Sequence, residues 1–263
     1  MSTPGKMILS AVFLFSLGCA GKAAEKLTSP LDFQPRQGIT LEFESTEFLN
    51  GQPKYFYTTT IHPAQRGTLP GTTETVWQYA FEMTRTNLEG KRERFRALHY
   101  SRVNADVEAS LGQRILEFND KAVDLLMLHD DPYVDLRGPL LTGRQWEFMH
   151  SASVSVDSVK KPMIRYTKRV VNRGLTVEVP AGRFGDCILF SVEGVSLSTY
   201  PITCGQTREP RSFLMSGTMY YCPGLGNVKE SSYERYGTPG RPDPACDVHH
   251  SERVLKSISK SKP

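Results

Sequence analysis

The sequence predicts a mainly β protein with few or no helices: either a single curved antiparallel sheet, or a half-barrel or sandwich. Apolar and polar residues alternate along most of the chain, as they do in strands that bury one face. Short turn sequences separate these segments, and no run of about ten or more residues has the apolar period of an amphipathic helix. The chain has 263 residues, of which 39% are hydrophobic, which is sufficient for one β domain.

The first predicted element is a hairpin. Ile39, Leu41 and Phe43 alternate with polar residues, which predicts a strand with one buried face. Asn50 and Gly51 then supply the residue types that adopt the positive φ angles of a tight turn. Because another apolar and aromatic segment follows this turn, we expect the two strands to pair.

An aromatic stripe dominates the next predicted strand, residues 76–86. Trp77, Tyr79, Phe81 and Met83 share one face of this strand. Such a stripe is typical of a hydrophobic core, and the alternative is the wall of a groove that binds an apolar ligand. Further strands then continue a meander, over residues 92–103, 107–111, 114–118 and 122–128.

The regular pattern stops at residues 129–144. Asp130-Asp131-Pro132 and Gly138-Pro139 predict an irregular loop that crosses between two halves of the sheet. The simplest interpretation of His129, Asp130 and Asp131 is a solvated turn, and an acid/base or cation site is the alternative. We expect strands to resume over residues 153–159, 163–172, 175–179, 186–195, 211–221 and 227–236, before a Pro/Gly-rich loop at 237–247.

The N-terminus has the features of an export signal. Lys6 precedes a short apolar run that ends at Gly18 and is too short to span a bilayer as a permanent helix. We therefore expect a signal peptide over residues 1–18 and a tether over 19–29. An antiparallel β domain over 30–255 and a disordered tail over 256–263 complete the predicted organisation.

Leu17-Gly18-Cys19 resembles the lipobox of bacterial lipoproteins, in which the cysteine is acylated and becomes the new N-terminus. The resemblance implies that Cys19 carries a lipid and that the protein is held at a membrane. The positions after the cysteine lack the aspartate of inner-membrane retention, so the resemblance implies an outer-membrane lipoprotein that faces the periplasm. Ser16 stands where the pattern prefers leucine, and cleavage after Ala20, which would give a soluble periplasmic or secreted protein, is the alternative.

A second resemblance lies in the C-terminal half of the chain. Residues 179–187 read V-P-A-G-R-F-G-D-C, residues 220–229 read Y-Y-C-P-G-L-G-N-V-K, and residues 139–146 read P-L-L-T-G-R-Q-W. These segments resemble a diffuse family of uncharacterised bacterial exported and lipoprotein β domains. The likeness covers about a third of the chain, and its motifs are structural rather than chemical. It implies a curved antiparallel sheet in the cell envelope, with no activity attached.

Four cysteines remain once Cys19 is set aside: Cys187, Cys204, Cys222 and Cys246. An even number of cysteines in an exported domain predicts two disulfides. If the strands 186–195 and 211–221 pair as a hairpin centred near Cys204, Cys187 lies opposite Cys222. We therefore favour the pairs Cys187–Cys222 and Cys204–Cys246, with a buried free thiol at Cys187 as the alternative.

Catalytic motifs are absent from the sequence: it has no H-E-x-x-H, G-x-S-x-G or G-x-x-x-x-G-K-[ST] segment. We therefore predict no catalytic residue, no cofactor and no metal site. The segment that comes nearest to a metal site is Cys246-Asp247-Val248-His249-His250, and we assign its cysteine to a disulfide. The net charge of +4 is too small to indicate a nucleic-acid partner.

These observations lead to two expectations about function. The first is a non-catalytic cell-envelope lipoprotein whose β domain contacts a protein or cell-wall partner. The alternative is a periplasmic carrier that holds an apolar or acyl ligand in a curved groove, against Trp77, Tyr79, Phe81 and Met83. An enzyme of an unrecognised type is a third interpretation, which no motif supports.

Overall fold

The computed structural model describes residues 27–151 and 163–260. A short 3₁₀ turn at Pro30–Phe33 precedes fifteen strands. The strands are β1 (Ile39–Leu49), β2 (Gln52–Ile61), β3 (Gln65–Thr68), β4 (Thr75–Asn87), β5 (Arg92–Val103), β6 (Val107–Phe118), β7 (Lys121–Arg137), β8 (Gln145–Ser151), β9 (Met163–Val179), β10 (Gly182–Ser196), β11 (Tyr200–Cys204), β12 (Thr207–Cys222), β13 (Gly226–Thr238), β14 (Arg241–Pro242) and β15 (His249–Lys260). Within the described ranges, no helix has the length and apolar character that a membrane crossing requires.

The strands form one large antiparallel sheet, as the alternating pattern predicts. Its order is β7-β6-β5-β4-β2-β1-β15-β13-β12-β10-β9-β8, and the short strands β3, β11 and β14 pair with β4, β12 and β13. The hairpin between β1 and β2 turns at Asn50 and Gly51, which both have positive φ angles, as expected from that dipeptide. The chain therefore builds a meander in which most neighbours in sequence are neighbours in the sheet.

The sheet rolls until its two edge strands, β7 and β8, approach each other. The contact is made by side chains: Trp146 Nε1 donates to the carbonyl oxygen of Val134 at 3.3 Å. The rings of Tyr133 and Phe148 meet edge to face, 4.7 Å apart. The hydrogen-bonded ladder stays open between these strands. An interior is thus enclosed without full closure of the sheet.

The described residues form four hydrophobic clusters, and the two largest fill parts of the roll. The first joins the 3₁₀ turn to the strands near the open seam, and comprises Phe33, Leu136, Leu140, Trp146, Phe148, Val170, Ile188, Phe190, Val192, Met219 and Tyr221. The second lies where β1 and β15 pack against the ends of β9 and β10, and comprises Leu41, Phe43, Val177, Val179, Cys187, Cys222, Leu225, Val228 and Leu255. The space between these packed regions is left for a cavity.

The two disulfides have the pairing that the cysteine spacing favoured. Cys187 is bonded to Cys222, and Cys204 to Cys246, with Cα atoms 4.2 and 4.3 Å apart. The first bond joins β10 to β12, whose ladder pairs Phe190 with Met219. This is the register that a hairpin centred near Cys204 requires.

The predicted crossing loop at 129–144 is wrong in its first half, because β7 continues to Arg137. Pro132 is compatible with this strand since β7 is at the edge of the sheet, where one row of backbone donors has no ladder to join. The Asp-Asp-Pro segment instead produces a bulge: pairing to β6 passes from Leu128 to Tyr133. The crossing loop is residues 138–144.

The C-terminal boundary also differs from the prediction of a disordered tail over 256–263. β15 continues to Lys260, which pairs with Ile39 of β1. Leu255 is fully buried in the second cluster, and Ile258 packs against it. The alternating apolar pattern of this segment covers only a few residues. The strand is stabilised by the two strands that pair with it, and the segment alone does not reveal them. Residues 261–263, the predicted strand 153–159 and the signal segment with Cys19 lie outside the described residues.

The last part of the predicted tether is attached to the domain. Leu27 packs on the first cluster, and Arg173 Nη2 donates to its carbonyl oxygen at 2.7 Å. Ser29 caps the 3₁₀ turn, with Asp32 accepting a hydrogen bond from the Ser29 backbone at 2.9 Å. Leu27 and Ser29 therefore contact the domain, although the sequence places them in the tether.

Candidate functional site

The interior of the roll contains four adjoining lobes, which share Tyr79, Tyr133 and Glu230 among their walls. We call them the stripe lobe, about 430 Å³, and the central lobe, about 290 Å³. The histidine lobe measures about 280 Å³ and the tyrosine lobe about 580 Å³. Each is in or near the size range of small-molecule sites.

The predicted aromatic stripe lies on this interior. Tyr79, Phe81 and Met83 line the stripe lobe, and Trp77 lines the central lobe beside Tyr79. All four side chains are half-buried, so they border open space and are not part of the packed clusters. Their period-two spacing on β4 brings them to one face, as expected. Ligand binding by these four residues remains a prediction.

A charged network forms the floor between the central and histidine lobes. Lys168 is fully buried, and its Nζ lies 2.6 Å from Asp135 Oδ1. The hydroxyl of Tyr221 donates to Asp135 Oδ2 at 2.5 Å, and Lys168 Nζ lies 4.9 Å from the centroid of the same tyrosine ring. Both carboxylate oxygens of Asp135 are thus bonded to side chains of the protein.

Glu108 lines the same two lobes as Asp135. Its Oε2 accepts a hydrogen bond from Gln34 Nε2 at 2.7 Å. Burial, followed by the negative charge of Asp135, raises the pKa of Glu108 above its ordinary value. The Glu108 carboxyl therefore keeps its proton to a higher pH than an exposed glutamate does.

All six histidines of the chain line the cavity. His99, His129 and His150 come together in the histidine lobe, where the rings of His129 and His150 are 4.8 Å apart. Burial, and then the charge of His129, lowers the pKa of His99 to about 4. His62 lines the central lobe, and the adjacent pair His249 and His250 line the tyrosine lobe.

The sequence does not predict this convergence, because His62, His99 and His150 lie far apart in the chain and the turn residues around His129 favour a solvated loop. The available signal was strand position: His99 is on β5, His129 on β7 and His150 on β8, three strands that the roll brings together. Of the neighbours considered with His129, Asp130 is exposed.

Lys168 does not stand out in the sequence either, because its neighbours Arg165 and Arg169 are typical of a solvated strand face. The signal was the period of two: Ile164, Tyr166 and Val170 share its parity on β9, and all of them face inward. A lysine in the middle of such a row is a candidate for a buried ion pair.

The tyrosine lobe combines aromatic rings with carboxylates. Phe48, Tyr55, Tyr57, Tyr133 and Tyr166 contribute rings, and Glu47, Glu230 and Glu234 contribute carboxylates. His250 lies between two rings, stacked at 5.2 Å on Phe48 and at 4.2 Å on Tyr233. Its Nε2 is 3.1 Å from Ser231 Oγ, so this imidazole is held firmly in the wall.

One group in the described ranges brings at least three metal-ligand atoms within 4.8 Å: Cys204, Asp243 and Cys246. The two cysteines form a disulfide, and Asp243 Oδ2 accepts a hydrogen bond from Arg211 Nε at 2.8 Å. A metal binds a cysteine thiolate and not the sulfur of a disulfide. The Asp243 carboxylate is already bonded to the guanidinium of Arg211. This group therefore does not have the chemistry of a metal centre.

Comparison with known proteins finds similar structures and no matching family. No family model matches the chain, and no curated protein matches it. Two solved structures are similar to it at 12% sequence identity, each over 88% of this chain and 99% of its own. One is a candidate lipoprotein from Parabacteroides distasonis ATCC 8503, with a TM-score of 0.38. The other is a candidate exported protein with a YmcC-like fold from Bacteroides fragilis NCTC 9343, with a TM-score of 0.37.

Proposed function

We propose that this protein is a non-catalytic cell-envelope lipoprotein whose rolled sheet binds part of a cell-wall or protein partner in its cavity. The observation that carries the proposal is the set of four adjoining lobes inside the roll. Their walls carry half-buried aromatic side chains together with hydrogen-bonding and charged groups, which is the usual composition of a binding site.

The N-terminal sequence supports the envelope location. A lipid on Cys19 would hold the protein at the outer membrane, on the periplasmic side. Seven residues lie between Cys19 and Leu27, which packs on the domain, and this segment reaches about 28 Å at full extension. The domain would therefore work close to the membrane surface.

The carrier is the second candidate, and the stripe lobe is the observation that favours it. Phe81 and Met83 give that lobe an apolar wall. The same lobe is lined by Glu47, Glu230 and Arg253, so its surface is amphiphilic and not uniformly apolar. A carried ligand would need polar groups as well as an apolar or acyl part.

Affinity purification from detergent-solubilised envelopes tests both candidates. Phe81→Arg places a long charged side chain in the stripe lobe, and Phe56→Arg is its matched control on the outer face of β2, where Phe56 is 43% exposed. We expect a bound protein or cell-wall fragment with the wild type and with Phe56→Arg, and its loss with Phe81→Arg. An extracted lipid with the same variant pattern would favour the carrier. Equal recovery from all three proteins would contradict both.

A further inference from the structure

The tyrosine lobe contains carboxylates that the protein does not neutralise. Glu234 is half-buried, and no lysine or arginine of the described chain forms an ion pair with it. Burial, and then the charge of Glu47, raises the pKa of Glu234 above its ordinary value. Glu47 accepts a hydrogen bond from Tyr57, a neutral donor. These two carboxylates repel each other across the lobe.

Two cations, Lys54 and Arg85, line the same lobe, and Arg85 also hydrogen-bonds to Tyr57. Arg85 forms an ion pair with Glu93 and also lies 4.7 Å from the centroid of the Tyr55 ring. Lys54 lies over that same ring, at 5.5 Å. Arg85 is thus largely compensated by a carboxylate that does not line the lobe. Among the described residues, neither cation forms an ion pair with Glu47 or Glu234, so these two carboxylates can pair with a cationic ligand.

Aromatic rings flank this negative side. Tyr166 and Glu234 line the same lobe, and burial, followed by the charge of Glu234, raises the pKa of Tyr166 to about 12. Tyr57 is held beside Glu47 by their hydrogen bond. Carboxylates next to tyrosine rings form the arrangement that binds ammonium groups, through charge-assisted hydrogen bonds and cation–π attraction.

A second feature, independent of these charges, lies in the adjoining central lobe. Trp77 Nε1 and Asn227 Oδ1 are buried polar atoms without a hydrogen-bond partner in the described structure. Asn227 Nδ2 donates to Glu230 Oε2 at 2.9 Å, which fixes the orientation of the amide, and Glu230 lines both lobes. An unpaired buried donor or acceptor costs about 1–3 kcal/mol, so such atoms mark positions where a ligand group is expected.

The two lobes together define a ligand class. We propose that the cavity binds an amine that also carries hydroxyl groups, as an amino sugar does, with its ammonium group between Glu47 and Glu234. Its hydroxyl groups extend past Glu230 into the central lobe, where a hydroxyl can accept from Trp77 Nε1 or donate to Asn227 Oδ1. This inference rests on the proposed function and names the chemistry of the bound group.

Titration calorimetry with three probes tests the inference on the folded full-length protein. The probes are a glucosamine disaccharide, the same disaccharide N-acetylated, and spermidine. The glucosamine disaccharide carries both kinds of group, the acetylated sugar has hydroxyl groups without charge, and spermidine has charge without hydroxyl groups. We expect the glucosamine disaccharide to bind at least about fivefold more tightly than either of the others.

Two variants assign the contacts. Glu234→Gln should weaken binding of the glucosamine disaccharide about fivefold and leave binding of the acetylated one unchanged. Trp77→Phe, which removes the indole N–H, should weaken both sugars alike. Glu89→Gln is the matched control, since Glu89 is exposed in the turn after β4 and lies outside the cavity. Circular dichroism checks that each variant is folded.

Equal affinity for the charged and acetylated sugars, or an unchanged affinity in Glu234→Gln, would overturn the inference. Absence of binding by all three probes would overturn it too. The proposed function fails separately: it is contradicted only if the envelope-purified protein carries nothing that Phe81→Arg removes. A partner that Phe81→Arg displaces, but that has no amine, would keep the function and reject the ligand class.

Discussion

We predict that replacing His99 with glutamine removes an acid-dependent loss of stability. In the folded protein, burial and the nearby His129 lower the pKa of this imidazole from 6.5 to about 4. An unfolded chain returns the group to its ordinary value of about 6.5. The unfolded state therefore binds the proton more readily, and the free energy of unfolding falls as the pH drops from about 6.5 towards 4.

The magnitude follows from the two pKa values. Between neutral pH and about pH 5, protonation of His99 lowers the free energy of unfolding by about 2 kcal/mol. Below pH 4 the full loss is about 3.4 kcal/mol. Other titratable or charged groups also face His99 across the histidine and stripe lobes; these are Glu47, Tyr57, Tyr79, Glu108, His129, Tyr133, Asp135, His150, Glu230, Glu252 and Arg253. The comparison between wild type and variant separates the contribution of His99 from theirs.

Urea unfolding at about pH 7.5 and pH 5 measures the effect. The wild type should lose about 2 kcal/mol more than His99→Gln over this interval. His129→Gln should give a smaller reduction of the pH dependence, because it removes a charge that lowers the pKa of His99. The same pH dependence in the wild type and in His99→Gln would refute the reasoning.

Three further predictions address the disulfide, the buried ion pair and the anchor. Cys187→Ala/Cys222→Ala should lower the free energy of unfolding by about 4 kcal/mol, since the bond closes a loop of 35 residues; an unchanged urea midpoint would contradict this. Asp135→Asn should cost about 3 kcal/mol because it leaves Lys168 charged and buried, and adding Lys168→Met should recover most of the loss in thermal unfolding. Cys19→Ser should move the protein from the detergent phase to the aqueous phase in phase partitioning, and a wild type already in the aqueous phase would exclude the lipid.

Patterns between neighbours in sequence predicted much of the fold. The alternation around Ile39 and the Asn50-Gly51 dipeptide indicated the first hairpin, because backbone geometry at a tight turn depends on those two residues alone. The spacing of Cys187 and Cys222 about their loop gave the register of β10 on β12. These inferences needed no knowledge of how the sheet curves.

The incorrect predictions concern residues whose structure depends on that curvature or on strands far away in sequence. Pro132 indicated a loop, and only the position of β7 at the sheet edge makes it compatible with a strand. Lys260 has a place in β15 because β1 pairs with it from the other end of the chain.

The sequence predicted only one wall of the cavity. The row of aromatic residues from Trp77 to Met83 was visible on β4. The opposite walls come from strands far away in sequence, including Glu230 on β13 and Asp135 on β7. Ionisable residues in such strands look like solvent-exposed positions until the roll brings them inside.

Native mass spectrometry of the intact protein, released gently from envelopes, tests the central claim most directly, since it weighs the protein with whatever its cavity holds. We predict a species heavier than the processed, lipid-bearing chain by the mass of a bound compound, in the wild type and in Phe56→Arg. Phe81→Arg should show the processed chain alone. A wild type whose mass is that of the processed chain alone, in the same charge states as Phe81→Arg, would contradict a ligand-binding role for the cavity.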